Sequence, residues 1–108
     1  MSTAVAPPRG VSRAAWQRLT EFQRTVYHAV CRIPRGQTRS YRWVARRIGR
    51  PAAARAVGNA LNRNPFSPRV PCHRVVRTDG SLGGFAGGPI RKLALLKREG
   101  AVRLPGFV

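Results

Sequence analysis

At 108 residues the chain has room for one domain and not for two well-packed ones. Hydrophobic residues make up 43%, enough for one modest core, while 21 basic residues against 3 acidic ones leave a net charge of +18. No apolar run approaches the roughly 20 residues that span a bilayer. The opening MSTAVAPPRG lacks the apolar stretch of a secretory signal, and two cysteines, Cys31 and Cys72, allow at most one disulfide. A membrane protein, an exported protein and a disulfide scaffold are therefore set aside in favour of an intracellular domain. Nineteen of the basic residues are Arg and only Lys92 and Lys97 are Lys. Such a charge calls for a polyanionic partner. Nucleic acid fits better than an anionic membrane surface, because no strongly amphipathic basic helix stands alone.

Residues 1–12 hold Pro7, Pro8 and Gly10 without periodicity and read as a flexible arm; residues 13–108 read as the domain. Thr20 with Gln23 forms a capping-box signature, and Phe22, Val26, Ala29, Val30 and Ile33 recur at helical spacing until Pro34 and Gly36. A short helix starts at Ser40 and buries Val44, Ala45 and Ile48 before Gly49. After Arg50-Pro51 a third helix spans about 52–61, with Val57, Ala60 and Leu61 on its apolar side, and Asn64-Pro65 ends the run. Two short helices around a Gly-containing turn have the form of a helix-turn-helix, with 52–61 as the recognition helix among Arg46, Arg47, Arg50, Arg55 and Arg63. Arg74–Arg77, Asp79-Gly80 and Leu82 predict a small hairpin, and residues 83–88 a flexible glycine-rich loop. That loop lacks the Lys-Ser/Thr of a P-loop, so nucleotide binding is rejected. A last helix, about 89–99, presents Ile90, Leu93, Ala94 and Leu96, and the tail adds Val102, Leu104 and Phe107. The fold class is mainly α: a small, winged helix-turn-helix-like DNA-binding domain with a minor β-hairpin.

The densest cluster of reactive side chains is Val70-Pro71-Cys72-His73-Arg74-Val75. Cationic neighbours favour thiolate over thiol, and an adjacent imidazole can take the proton directly or through one water. Among three carboxylates, Glu21, Asp79 and Glu99, the last sits at a helix C-terminus, where the macrodipole disfavours an acid by roughly 0.3–1 kcal/mol. An acid there points to a cationic or hydrogen-bonding partner. On residue types alone, Cys72 as a buried small hydrophobe and His73 as an ordinary loop residue remain equal alternatives. Cys31 lies among helical apolar residues and reads as structural. A zinc site from His28, Cys31, Cys72 and His73 has poor spacing, because neighbouring residues seldom both reach one tetrahedral ion.

Pro71-Cys72-His73-Arg74-Val75-Val76, preceded by Ala54-Arg55-Ala56-Val57-Gly58-Asn59-Ala60 and Asn64-Pro65, resembles the C-terminal domain of the O6-alkylguanine-DNA alkyltransferases. Gly80 to Gly88 and the Lys92…Leu95-Leu96…Glu99-Gly100 pattern continue the likeness over residues 20–100. The resemblance implies that Cys72 irreversibly accepts an alkyl group from O6 of guanine, each molecule acting once. It implies that His73 takes the thiol proton through a water, that Glu99 orients His73, and that Asn64 supports the active-site loop. Pro71, Val75 and Phe85 would line the alkylguanine pocket, with the Val75 carbonyl accepting from the base. Since the target atom lies within the stack, the base must be rotated out. Arg55 would fill the vacated place, Tyr41 would push on the target's 3′ phosphate, and the helix with Ala53 and Ala54 would enter the minor groove. The implied partner is double-stranded DNA containing O6-alkylguanine, bound by a monomer associated with the nucleoid, and neither cofactor nor metal is called for.

Two features depart from the family. Many relatives have a tyrosine hydroxyl at the place of Phe85, and many carry an additional N-terminal domain. Single-domain forms include alkyltransferase-like proteins, which bind alkylated DNA, usually have Trp or Ala at the acceptor position, and flag lesions for other machinery. Such a lesion sensor is the first alternative reading; a sequence-specific helix-turn-helix regulator is the second, and it leaves the Pro-Cys-His-Arg run unexplained.

Overall fold

Ser12 starts the first helix, α1 (Arg13–Gln17), by accepting a hydrogen bond from the Ala15 N–H at 3.0 Å. Hydrophobic periodicity gives no sign of this helix, because its five residues bury a single side chain, Trp16. The computed structural model describes residues 7–66, 68–79, 81–83 and 88–101. Within the segment read as an arm, Val11 packs into the core. The proposed tail contacts of Val102, Leu104 and Phe107 fall outside the described residues.

The second helix, α2 (Glu21–Cys31), has the predicted capping box: Thr20 Oγ1 accepts from the Gln23 N–H at 3.0 Å, and Gln23 Oε1 from the Thr20 N–H at 2.9 Å. Val26 and Val30 are wholly buried, and each such apolar side chain contributes about 1.5–3 kcal/mol. Tyr27 donates its hydroxyl to the Ala60 carbonyl at 2.6 Å and packs in an aromatic trio with Trp16 and Phe66. Gly36 then turns the chain at φ +87°; a Cβ there would stand 3.1 Å from the Glu99 carbonyl oxygen, so both its conformation and its proximity require glycine.

Ser40 has two tasks. Its backbone belongs to a strand, β1 (Arg39–Ser40), and its hydroxyl caps α3 (Tyr41–Arg47) by accepting from the Trp43 N–H at 2.9 Å. Helix α3 packs extensively on α4 (Ala54–Asn62), which buries Val57, Ala60 and Leu61 and leaves Arg55, Asn59 and Asn62 exposed. This pair is the predicted helix-turn-helix arrangement. Helix α4 starts two residues later than expected, because Pro51 and Ala52 form a turn and Ala53 is its N-cap, without a side-chain cap. The last helix, α5 (Pro89–Arg98), ends with Glu99 as its C-cap.

The domain is mainly helical with a small two-stranded sheet, but the hairpin expectation is corrected in detail. The second strand, β2 (Val75–Val76), pairs in parallel with β1, Arg39 opposite Val75 and Ser40 opposite Val76. Asp79 does sit in a turn, closed by a bond from the Arg77 N–H to the Ser81 carbonyl. Val75 and Val76 are both buried, so they join the core sheet rather than one arm of an exposed hairpin. The buried stripe of α5 also differs: Lys92 and Leu96 are wholly buried, whereas Ile90 is 85% exposed and Ala94 is exposed.

Candidate active site

Pro71 sets the local geometry of the reactive segment. Its φ of −80° and ψ of 64° make an inverse γ-turn, closed by the Cys72 N–H on the Val70 carbonyl at 2.8 Å. One 3-10 turn, Cys72–Arg74, follows directly and runs into β2. The outcome is a short, locally bonded segment in which Val70, Cys72, His73 and Val75 are all buried.

Asn64, just past α4 and itself buried, holds this segment with three hydrogen bonds. Its Nδ2 donates to the Val70 carbonyl at 2.8 Å and to Cys72 Sγ at 3.2 Å, and its Oδ1 accepts from the Phe66 N–H at 2.8 Å. An N–H aimed at sulfur stabilises negative charge on it. Asn64→Ala is expected to cost about 1–2 kcal/mol, since it leaves the part-buried Phe66 N–H without its partner and the Val70 carbonyl with the Cys72 N–H alone. Urea unfolding measures this, and a loss below about 0.5 kcal/mol would show that neither group depends on the amide.

His73 Nε2 lies 3.0 Å from Glu99 Oε2, a close electrostatic contact that is poorly aligned for a straight N–H···O bond. Its Nδ1 is buried without a hydrogen-bond partner among the described residues. Burial pushes the imidazole pKa down, against the opposing pull of Glu99, so the neutral base predominates at neutral pH. Glu99 is shared. Arg74 Nε and Nη2 donate to its two oxygens at 2.9 and 2.8 Å, and Arg74 Nη1 donates to the Ile33 carbonyl at 2.8 Å. Burial acts against the carboxylate, but the hydrogen bonds from Arg74 and the close contact with His73 overcome it and hold the group down at about 2. The unfavourable helix-end position of this acid is thus offset by two partners.

The sequence reading omitted Lys92 and Arg74. Lys92 is wholly buried and its Nζ donates to the Val75 carbonyl at 2.7 Å, to the Leu82 carbonyl, and to the Tyr41 hydroxyl at 3.5 Å. Burial lowers its pKa to about 8, an effect that Cys72 counters and Arg77 adds to. A usable signal existed: a lysine four residues before the buried Leu96, in a chain with one other lysine and nineteen arginines. A compact ammonium suits convergent carbonyls better than a planar fork does. The ring of Tyr41 also lies against the backbone at Gly83, whose φ is +74° and where a Cβ would meet the Tyr41 hydroxyl at 2.6 Å.

Tyr41 leads from this cluster to a groove of about 450 Å³, shared by Arg77 and the face of α4 that carries Arg55, Asn59 and Asn62. Ala54 lines it as well, and Ala53 precedes it as the N-cap. The structure therefore gathers Cys72, His73, Glu99 and Asn64 with Pro71 and Val75 in one buried cluster, and sets Tyr41 and Arg55 together along the groove. Phe85 lies outside the described residues. Cys31 is half-buried, donates weakly to the Arg69 carbonyl at 3.9 Å, and is pushed up to about 11 by burial, with Arg74 opposing.

Residues 21–101 match the family model described as the DNA-binding domain of 6-O-methylguanine DNA methyltransferase. The chain belongs to this family. Among members of the methyltransferase family, it is 52% identical over 80 residues to the methylated-DNA–protein-cysteine methyltransferase of Methanosarcina barkeri, covering 74% of this chain and 51% of the relative. For the Mycobacterium leprae protein of the same name the figures are 54% over 80 residues, 74% and 48%. The chain thus spans about half the length of these curated relatives. Its backbone matches Mycobacterium tuberculosis OGT in complex with DNA at a TM-score of 0.74 and 52% identity, over 76% of this chain and 50% of that one. It also matches S. pombe Atl1 in complex with damaged DNA containing O6-carboxymethylguanine, at 0.69 and 38%, over 77% and 79%. No helix among the described residues is long and apolar enough to cross a membrane.

Proposed function

We propose that this domain removes an alkyl group from O6 of guanine in duplex DNA by a single, irreversible transfer to Cys72. The observation that carries the reading is the buried cluster itself: a cysteine sulfur receiving an amide N–H from Asn64, followed in the chain by a neutral histidine backed by Glu99. The thiol gives its proton to His73 Nδ1 through a water, and the imidazolium is stabilised by Glu99. Sulfur then attacks the alkyl carbon; the new S–C bond forms as the C–O6 bond breaks, its electron pair returns to the base, and a proton restores guanine. No cofactor enters this balance.

The flipped base reaches the cluster past Tyr41. The Val75 carbonyl, which Lys92 already holds, also accepts from the base amine. Arg55, exposed on α4, takes the place left in the stack, and Tyr41 bears on the 3′ phosphate. The small residues Ala53 and Ala54 at the start of α4 allow close approach in the minor groove, and the domain acts there as a monomer. The names of the curated relatives and the DNA in the two similar complexes support this assignment.

The lesion-sensor alternative is supported by one observation, the likeness of this domain to S. pombe Atl1 bound to damaged DNA. Intact and peptide mass spectrometry after mixing with an O6-methylguanine duplex decides between them. One methyl gained on the Cys72 peptide, with guanine restored in the DNA, is the expected result. An unmodified chain that still prefers the damaged duplex would replace this function with the sensor.

A further inference from the structure

Arg77 has no part in the roles assigned above. The parallel register pairs Arg39 with Val75 and Ser40 with Val76, and Tyr41 and Arg77 each follow directly on the last pair. Both line the groove, Arg77 coming from the strand that leaves Cys72 while Ala54, Arg55, Gly58, Asn59 and Asn62 come from α4. Its side chain is exposed, and among the described residues its guanidinium makes no hydrogen bond or ion pair. The neighbouring acid Asp79 feels the charge of Arg77 but forms no ion pair with it, and its Oδ1 accepts from the Ser81 N–H at 2.9 Å and the Ser81 hydroxyl at 2.7 Å. The backbone under Arg77 is fixed on both sides, by β2 and by its own N–H on the Ser81 carbonyl. Arg77 also adds to the positive potential felt by Lys92. Two cations held near each other repel in the free protein, and an anion that enters between Tyr41 and Arg77 relieves that repulsion.

We propose that Arg77 is a phosphate-binding residue that takes one backbone phosphate of the lesion-bearing strand, in the groove it shares with α4. The inference rests on the duplex-binding reading above and adds a contact from the strand that leaves the active-site turn. Holding the strand at both Arg77 and α4 would tie the position of the flipped nucleotide to the segment that carries Cys72. Arg77 thereby joins the DNA-reading helices to the chemistry through one strand.

The test is the salt dependence of affinity for an O6-methylguanine duplex, read by fluorescence anisotropy for the unmodified chain, Arg77→Gln and Arg77→Lys. Arg77→Gln is expected to weaken binding about tenfold at low salt and to reduce the log–log salt slope by about 1, whereas Arg77→Lys keeps the slope. A methylphosphonate scan of the lesion strand then locates the contact. At one phosphate near the lesion, neutralisation should erase the difference between the unmodified chain and Arg77→Gln; elsewhere the difference should persist. Should Arg77→Gln loosen the turn, the scan is read with the neutral, similarly sized Arg77→Met. An unchanged slope in Arg77→Gln, or a difference that no single phosphate erases, overturns the role of Arg77 and leaves the duplex-binding reading standing. A salt-independent or absent affinity of the unmodified chain overturns both.

Discussion

Cys72→Ala should bring alkyl transfer to zero in a protein that still folds and still binds the alkylated duplex. The sulfur is the only atom in the proposed reaction able to accept the alkyl group, and no other side chain of the buried cluster is a comparable nucleophile at neutral pH. His73 is an imidazole placed to receive a proton, and Lys92 has its ammonium engaged by carbonyls. The substitution removes one buried sulfur, which costs about 1 kcal/mol of packing. Asn64 keeps its bonds to Val70 and Phe66, so the segment retains its shape. Cys72 is 2% exposed and does not line the groove with Arg55, which is why binding survives its loss. Cys31→Ala, the parallel control, should transfer at the parental rate, since that thiol is held protonated by burial. Single-turnover assays with a radiolabelled methyl group read both. Transfer persisting in Cys72→Ala, or lost in a folded Cys31→Ala, would move the acceptor elsewhere.

Glu99→Gln is expected to act on both rate and stability. Without the carboxylate, His73 loses the charge that stabilises its protonated form, and transfer should slow on the order of 100-fold. Arg74 loses both of its charge-assisted bonds and keeps only the Ile33 carbonyl. The carboxyl titrates near 4.5 when unperturbed and at about 2 in the fold, so the folded state binds fewer protons across that interval. Its contribution is fully present above about pH 4.5 and is lost as pH falls toward 2. With the side chain 9% exposed, this amounts to on the order of 2–3 kcal/mol at neutral pH. Unfolding free energy measured from pH 7 down to pH 2 should fall in the parent and be flatter in Glu99→Gln. An equal slope in both would show that other carboxylates govern acid stability, leaving Glu99 with orientation alone.

The elements that could be read from the residues share one property: a local signal repeated often enough to have a direction. Thr20 and Gln23 with five apolar positions define α2, and Ser40 with Val44 and Ala45 defines α3. The short helix α1 has one buried residue, so periodicity cannot reveal it, although Ser12 was a usable cap signal. The pairing of Arg39–Ser40 with Val75–Val76 escapes for a different reason. Each strand has two residues, too few to alternate, and the partners are far apart in the chain, so the nearby Asp79-Gly80 turn suggested the wrong mate. In the candidate active site, Cys72, His73 and Glu99 stood out by their chemistry, though residue types alone left Cys72 and His73 equally open to structural roles; Asn64 came from the family resemblance. Lys92 did not stand out, because its partners are the carbonyls of Val75 and Leu82, and a carbonyl leaves no mark on the sequence. Arg74 was hidden by the same rule that exposed Glu99. The misplaced acid signalled that it had partners, but the neighbouring residue type, one arginine among nineteen, did not say which.

On the proposed reaction, a protein that spends its nucleophile once must keep it intact until the substrate arrives. The seclusion of Cys72 has a consequence for that waiting time. Thiolates attack peroxide and glutathione disulfide in proportion to both ionisation and access, and an almost wholly covered sulfur denies these oxidants access. Cys31, the more accessible thiol, is protected by the opposite means: it is reachable in part but stays protonated. The two cysteines thus resist oxidation through different halves of the same rate law, and the shelf life of the unreacted molecule follows from burial at one sulfur and from protonation at the other.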